Sequence, residues 1–231
     1  MKKSICALLI SSALFGCGST VNMTTSDAVA AQPKLMLKTD GTFWGFGPEG
    51  SFDLAGLYQG KYSRSASTSS WFNTINTKEG EMVAEVTRKD NGKTWTLVCS
   101  GGGTSVDLGS FSFGGNGPYV CEISENGKSV GEYQMARKSE AISLSTAKKE
   151  TGFIRLDSTH FNAESIHDGE GLMMSVDNPL GYSFSRGSVE VAAAQINGAI
   201  TLQTLANLPQ AEMDTLALGT VASALSWRPQ E

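Results

Sequence analysis

Near the carboxyl end of the chain, residues 216–225 form a stretch with no charged side chain on any face. Pro209 suits the first turn of a helix, and Asp214 lies where the helix dipole favours negative charge. A helix that is apolar all round is enclosed either by protein or by a membrane. Ten residues rise only about 15 Å, which is half the thickness of a bilayer core. We therefore expect the folded chain to enclose this helix.

Short segments of alternating polar and apolar residues, rich in β-branched and aromatic side chains, fill most of the chain before that helix. Dipeptides such as Asn91-Gly92 and Asn126-Gly127 separate them and supply the positive φ values of tight hairpin turns. Strands are predicted over residues 35–39, 57–64, 82–88, 94–99, 119–124, 129–136, 142–147, 153–157, 172–176, 182–185, 189–195 and 199–205. This spacing predicts one mainly β domain over residues 34–231, a many-stranded antiparallel barrel or sandwich with a buried C-terminal hydrophobic helix.

Composition excludes several other classes of protein. Charged residues make up 18% of the chain and glycine contributes 26 of 231 residues, which disfavours a long coiled coil. The formal net charge is −5 and the isoelectric point about 5.2. A nucleic-acid-binding surface would be basic, so we expect no nucleic-acid partner.

The first residues have the order of a secretory signal. A basic start is followed by an apolar run over residues 5–15, which is too short to span a membrane. The motif Leu14-Phe15-Gly16-Cys17 resembles the lipobox of bacterial lipoproteins, although Phe15 is bulkier than usual at its position. The resemblance implies a signal peptide over residues 1–16 and acylation of Cys17. The alternative is an ordinary secretory signal with an incidental cysteine.

Acyl chains on Cys17 would make the lipid bilayer a partner of the protein, since two or more chains anchor stably. Gly18 stands where the enterobacterial retention signal has aspartate, and that sorting rule implies an outer-membrane location in the cell envelope, on the periplasmic face or at the surface. Residues 17–33 are small and polar without a strong period. They predict a lipidated cysteine followed by a flexible tether.

Two further cysteines, Cys99 and Cys121, remain in the body of the chain. Each lies on the apolar face of a predicted strand, and an exported pair in an oxidising compartment is typical of a disulfide. Buried free thiols are the alternative.

Both histidines of the chain lie in one acidic segment over residues 157–170. On a helix, His160, Glu164 and His167 would share a face and offer a weak candidate metal or acid–base set. Gly169 and Gly171, together with the absence of an apolar period, favour a plain solvated loop. No cofactor is predicted, and the sequence lacks the hydrolase, zinc-protease and phosphate-loop motifs.

The end of the chain resembles the tubby C-terminal-like superfamily, which includes the LURP-one-related and phospholipid-scramblase-like domains. Two strands precede a helix opened by proline and acid, and the matching positions are Pro209, Asp214, Leu216, Gly219, Ala222 and Leu225. The resemblance implies an antiparallel barrel threaded by its C-terminal helix. It does not extend to a basic phosphoinositide pocket or to an acidic calcium cluster.

Three functions are compatible with these features. The first is an exported, membrane-anchored lipoprotein with a non-enzymatic binding or structural role. The second is a lipid- or small-ligand-binding barrel of tubby-like fold. The third is a periplasmic hydrolase or metal protein that uses His160 or His167. Because only one weak cluster offers chemistry, the sequence favours a protein that is not an enzyme.

Overall fold

A computed structural model describes residues 20–40, 49–64, 82–101, 106–107, 112–113, 118–137 and 149–226. The strands are β1 (Leu35–Thr39), β2 (Glu49–Leu54), β3 (Tyr58–Ser63), β4 (Met82–Arg88), β5 (Thr94–Ser100), β6 (Val106–Asp107), β7 (Ser112–Phe113), β8 (Tyr119–Glu125), β9 (Lys128–Arg137), β10 (Glu150–Leu156), β11 (Thr159–Ile166), β12 (Gly181–Arg186), β13 (Val189–Gln195) and β14 (Thr201–Thr204). The helices are α1 (Asp27–Ala30) and α2 (Gln210–Leu225).

Twelve of the strands form one closed antiparallel barrel. Each pairs with its neighbours in chain order, except that β5 pairs with β8 because β6 and β7 form a separate two-stranded hairpin. β1 pairs with β14, with Leu35 opposite Leu202, and this contact closes the barrel. The predicted fold class, mainly β with a C-terminal helix, is confirmed, and the barrel rather than the sandwich is the form that it takes.

The two ends of the barrel differ. At one end, which we call the short-turn end, the chain reverses through residues 55–57, 89–93, 126–127, 157–158 and 187–188. Asn126 and Gly127 both have positive φ there, as a two-residue hairpin turn requires. The opposite end, the loop end, carries the described connections 167–180 and 196–200.

Helix α2 runs through the barrel from the short-turn end towards the loop end. Its residues from Asp214 to Ser223 are all buried, so the helix is covered on every side. Gly219 lets the wall approach closely, since a Cβ there would lie 3.1 Å from the Phe184 ring and 3.2 Å from Ile154. Inward side chains of the wall, among them Trp95, Tyr133, Phe161 and Phe184, complete the core around the helix.

Residues 20–33, where the sequence predicts a flexible tether, pack against the outside of the barrel. Val29 is fully buried against the outer face of β13, next to Ala193. The side-chain amide of Gln203 donates to the carbonyls of Val29, Ala30 and Gln32 at the end of α1. Met23 and Val29 are buried in the outer apolar cluster, and Val21 packs against it, so these side chains hold the segment to the barrel.

Three other predictions differ from the structure. β2 and β11 were not predicted as strands, although inward and outward residues alternate along both. Residues 172–176, predicted as a strand, lie in the connection between β11 and β12 and pair with no strand. The strand predicted over residues 142–147 and the predicted signal peptide, including Cys17, lie outside the described residues.

Candidate functional site

The predicted histidine set is divided between two surfaces. Residues 159–166 form β11, which is neither the helix that would unite the set nor the plain loop that was the alternative. His160 and Glu164 are exposed on the outer wall, where the His160 ring stacks on Phe153 at a centroid distance of 5.6 Å. Because residues alternate along a strand, His167 falls on the opposite side and is buried.

Both ring nitrogens of His167 are engaged in structural hydrogen bonds. Its Nδ1 lies 2.8 Å from the carbonyl oxygen of Val176 and therefore donates, while the Ser165 hydroxyl lies 2.8 Å from Nε2. The backbone N–H of Glu150 donates to the same hydroxyl at 2.8 Å, which leaves the Ser165 proton for His167. This chain of bonds fixes the connection 167–180 to the barrel wall and leaves neither nitrogen for a metal or a substrate.

A second polar pair lies beside that chain of bonds at the loop end. The buried carboxylate of Glu150 accepts a hydrogen bond from the Tyr182 hydroxyl at 3.1 Å. Burial raises the pKa of Tyr182, so the phenol keeps its proton and stays a donor. Nearby, the Tyr133 hydroxyl lies 2.8 Å from the Ser223 hydroxyl and joins the barrel wall to α2.

At the short-turn end, Asp214 occupies the centre of a charged cluster that sequence reasoning missed. Its Oδ2 lies 2.8 Å from the Arg88 guanidinium, and its Oδ1 accepts from the Tyr58 hydroxyl at 2.7 Å and from Gln210 at 2.9 Å. Burial and the hydrogen bond to this carboxylate raise the pKa of Tyr58. The signal in the sequence was a lone acidic side chain within the buried face of the helix.

The three partners of Asp214 in this cluster, Tyr58, Arg88 and Gln210, line one side of a cleft of about 390 Å³ at the short-turn end. The rest of its walls is formed by Gly56, Leu57, Lys89, Asp90 and Met213. The hydrogen bonds and the ion pair of Asp214 join the first turns of α2 to β3 and β4. Because both of its carboxylate oxygens have partners, Asp214 is not free to act as a base.

A second depression of about 530 Å³ lies on the outer wall of β1–β4. Asp40 accepts hydrogen bonds from the backbone N–H and the hydroxyl of Ser51, at 2.7 and 2.8 Å, and these bonds lower the pKa of Asp40. Lys89 forms an exposed ion pair with Asp53 at 3.1 Å. Charges of both signs line the depression, so it has no strong preference for an anionic or a cationic ligand.

Cys99 and Cys121 are joined by a disulfide. They lie directly opposite each other on β5 and β8, and both side chains are fully buried on the inner face of the wall. Trp95, on the same strand as Cys99, is also fully buried in the barrel core.

Within the described part of the chain, no three His, Cys, Asp or Glu side chains are grouped closely enough to hold a metal ion. No helix among the described residues is both long and apolar enough to cross a membrane. Comparisons of the chain with protein-family models, with curated proteins and with solved structures found no match.

Proposed function

We propose that the protein is an exported lipoprotein, anchored in the outer membrane through acylated Cys17, whose barrel has a non-enzymatic binding or structural role. The lipobox Leu14-Phe15-Gly16-Cys17 carries this proposal. Acyl chains on Cys17 would supply the attachment, because the acidic body of the protein is not drawn to anionic lipid head groups.

The disulfide supports the exported location. A bond between Cys99 and Cys121 is expected to persist in an oxidising compartment, whereas the cytosol keeps thiols reduced. Both cysteines are fully buried in the barrel wall, so the place of the disulfide in the structure favours a stabilising role over a redox role.

The filled interior favours a role for the outer surface of the barrel. Helix α2 occupies the axis along which a lipid or small ligand would bind in a hollow barrel, and its central residues have no exposed surface. The alternative of a ligand-binding barrel is therefore less well supported. The relation to the tubby-like superfamily stays a prediction, since an architecture of barrel and central helix does not by itself establish kinship or function.

The hydrogen bonds described above also disfavour the hydrolase alternative. His160 is exposed, and its described contact is the stack on Phe153, which is neither an acid nor a nucleophile. Both ring nitrogens of His167 are hydrogen-bonded, one to Ser165 and one to Val176. Acid–base catalysis requires a positioned base beside a nucleophile or metal. Neither histidine provides that arrangement.

The lipoprotein proposal predicts the behaviour of a Cys17→Ser variant. We expect this variant to lose palmitate labelling and to leave the membrane fraction, because the thiol that accepts the lipid is gone. Cys6→Ser is the matched control, since it removes a cysteine from the signal peptide that cleavage discards. Equal labelling of Cys17→Ser and the natural chain would contradict the proposal.

A further inference from the structure

Two neighbouring methionines project from the loop end of the barrel. Met173 is 100% exposed and Met174 is 81% exposed, the two highest values among the large apolar residues that the structure describes as exposed. They lie in the connection between β11 and β12, in a segment that we call the methionine loop, residues 167–176. Contiguous exposed apolar surface can mark a site of contact with a protein or a membrane.

The methionine loop is closed and held at its base. The backbone N–H of Val176 donates to the carbonyl of His167 at 3.0 Å, and the His167 ring donates back to the carbonyl of Val176. Leu172 and Val176 turn towards the small outer cluster formed by Met23, Val29, Leu180 and Ala193. The apolar residues on either side of the tip therefore pack on the barrel, while Met173 and Met174 point away from it.

The amino-terminal segment reaches the barrel beside the same loop. Met23 forms a β-bridge with Gly169, and the N–H of Thr24 donates to the carbonyl of Asp168 at 2.9 Å. The Asn197 side chain at the loop end donates to the carbonyl of Val21 at 2.8 Å. From there the segment follows β13 towards the short-turn end, where the N–H of Ser26 donates to Glu190 at 2.6 Å.

This path places the anchor of the proposed lipoprotein at the loop end. Thr20 lies against Gly198, and Cys17 is three residues earlier in the chain. Three residues span at most about 10 Å, so acyl chains on Cys17 would hold the loop end close to the bilayer surface. The packing of residues 20–33 removes the spacer that would otherwise separate them.

We propose that Met173 and Met174 insert into the bilayer beside the acyl chains, so that the loop end faces the membrane and the short-turn end points away. This inference rests on the proposed lipid anchor. Methionine side chains are flexible and apolar, which suits insertion between lipid tails. Two contacts, the anchor and the methionine loop, would restrict the tilt of the barrel, whereas a single point of attachment would leave it free.

The charges around the methionine loop indicate which kind of lipid head group it would contact. Asp168 and Glu170 flank the tip, and their carboxylates accept hydrogen bonds from Ser175 and from Asn22 respectively. Asp177 adds a third acidic side chain beyond the tip. Lys34, which donates to Asn22 at 3.0 Å, adds one basic side chain beside Glu170. Because the acidic side chains outnumber it, this surface repels anionic head groups, and the contact is apolar and suits a zwitterionic lipid surface.

The test uses the full lipidated chain in vesicles of phosphatidylethanolamine and phosphatidylcholine. Met174→Cys is labelled with an environment-sensitive fluorophore, and the disulfide leaves the new thiol as the reactive one. Val189→Cys is the matched control, since Val189 is 58% exposed but lies at the short-turn end. We expect a several-fold rise in emission with a blue shift at position 174, quenching there by nitroxide on lipid tails, and neither effect at position 189.

Other results would overturn the inference. In one such result, the label at position 174 emits as it does in water although the protein remains bound to the vesicles. That result rejects insertion and leaves the lipid anchor in place. Protection of that label only in native membranes identifies a protein partner instead of the bilayer. Quenching at both positions rejects the proposed orientation. Loss of vesicle binding together with absent palmitate rejects the anchor and the inference alike.

Discussion

Asp214 is a single buried residue whose contacts join the central helix to the barrel wall. A carboxylate inside a β barrel is costly unless charge and hydrogen bonds compensate it, and Arg88, Tyr58 and Gln210 do so together. The sequence indicated an acidic residue near the start of a helix but gave no sign of its partners. Arg88 precedes it by 126 positions, and only the closed barrel brings the two side chains together.

The raised pKa values of Tyr58 and Tyr182 predict a loss of stability in alkali. Both phenols stay protonated in the folded protein at a pH where the unfolded chain, with an ordinary tyrosine pKa of about 10, has released the proton. The stabilisation is therefore complete below about pH 10 and declines above it, by about 1.4 kcal/mol per pH unit for each tyrosine. Denaturant unfolding at a series of pH values measures this slope.

The double variant Tyr58→Phe/Tyr182→Phe provides the comparison. It lacks both titrating groups, so we expect a shallower alkaline decline even though the lost hydrogen bonds lower its stability at neutral pH. An unchanged slope would show that other groups govern alkaline unfolding.

Among the elements, α2 has the most unusual environment, because strands surround it on all sides. Most helices bury one face, and the sequence predicted the exception from the absence of charge over residues 216–225. The strands were predictable where alternation and Asn-Gly turns coincide, as at β4 and β13, whose bounds match those predicted. β11 alternates equally well, but its outward residues include a histidine and a glutamate that resembled a binding motif.

A charge in the middle of α2 should prevent folding. Leu218 is fully buried, and in Leu218→Asp the new carboxylate would have no partner, which costs several kcal/mol and exceeds the margin of many domains. We expect loss of the cooperative thermal transition, measured by circular dichroism.

Leu57→Asp is the matched control for that variant. It introduces the same side chain at a leucine that is 46% exposed in the β2–β3 turn, so the transition should be retained. Similar melting of both variants would mean that α2 is not enclosed.

For the whole molecule, the sequence predicted a barrel or sandwich but could not choose between them. The choice depends on the pairing of β1 with β14, two segments separated by most of the chain, and local patterns carry no information about such contacts. The predicted histidine site is not formed for a related reason. His160 and His167 are close in sequence, but a strand of alternating faces places them on opposite sides of the wall.

The disulfide is expected to stabilise the whole barrel. It closes a loop of 22 residues, for which the chain-entropy model gives roughly 3 kcal/mol. The Cys99→Ala/Cys121→Ala variant should lose about that much free energy of unfolding in denaturant titrations, and the single Cys99→Ala variant should lose a similar amount because it also lacks the cross-link. A double variant as stable as the natural protein would contradict this account.

The order of elements along the chain has a consequence for how the protein is made. β1 emerges first from the ribosome or a translocation channel, yet its partner β14 and the central helix emerge last. The barrel therefore cannot close during synthesis, and a nascent chain that lacks its final segment has neither the β1–β14 contact nor the helix around which the wall packs. Under the proposed export, such a chain would still lack its native fold during its passage, which is the state that a narrow secretory pore accepts.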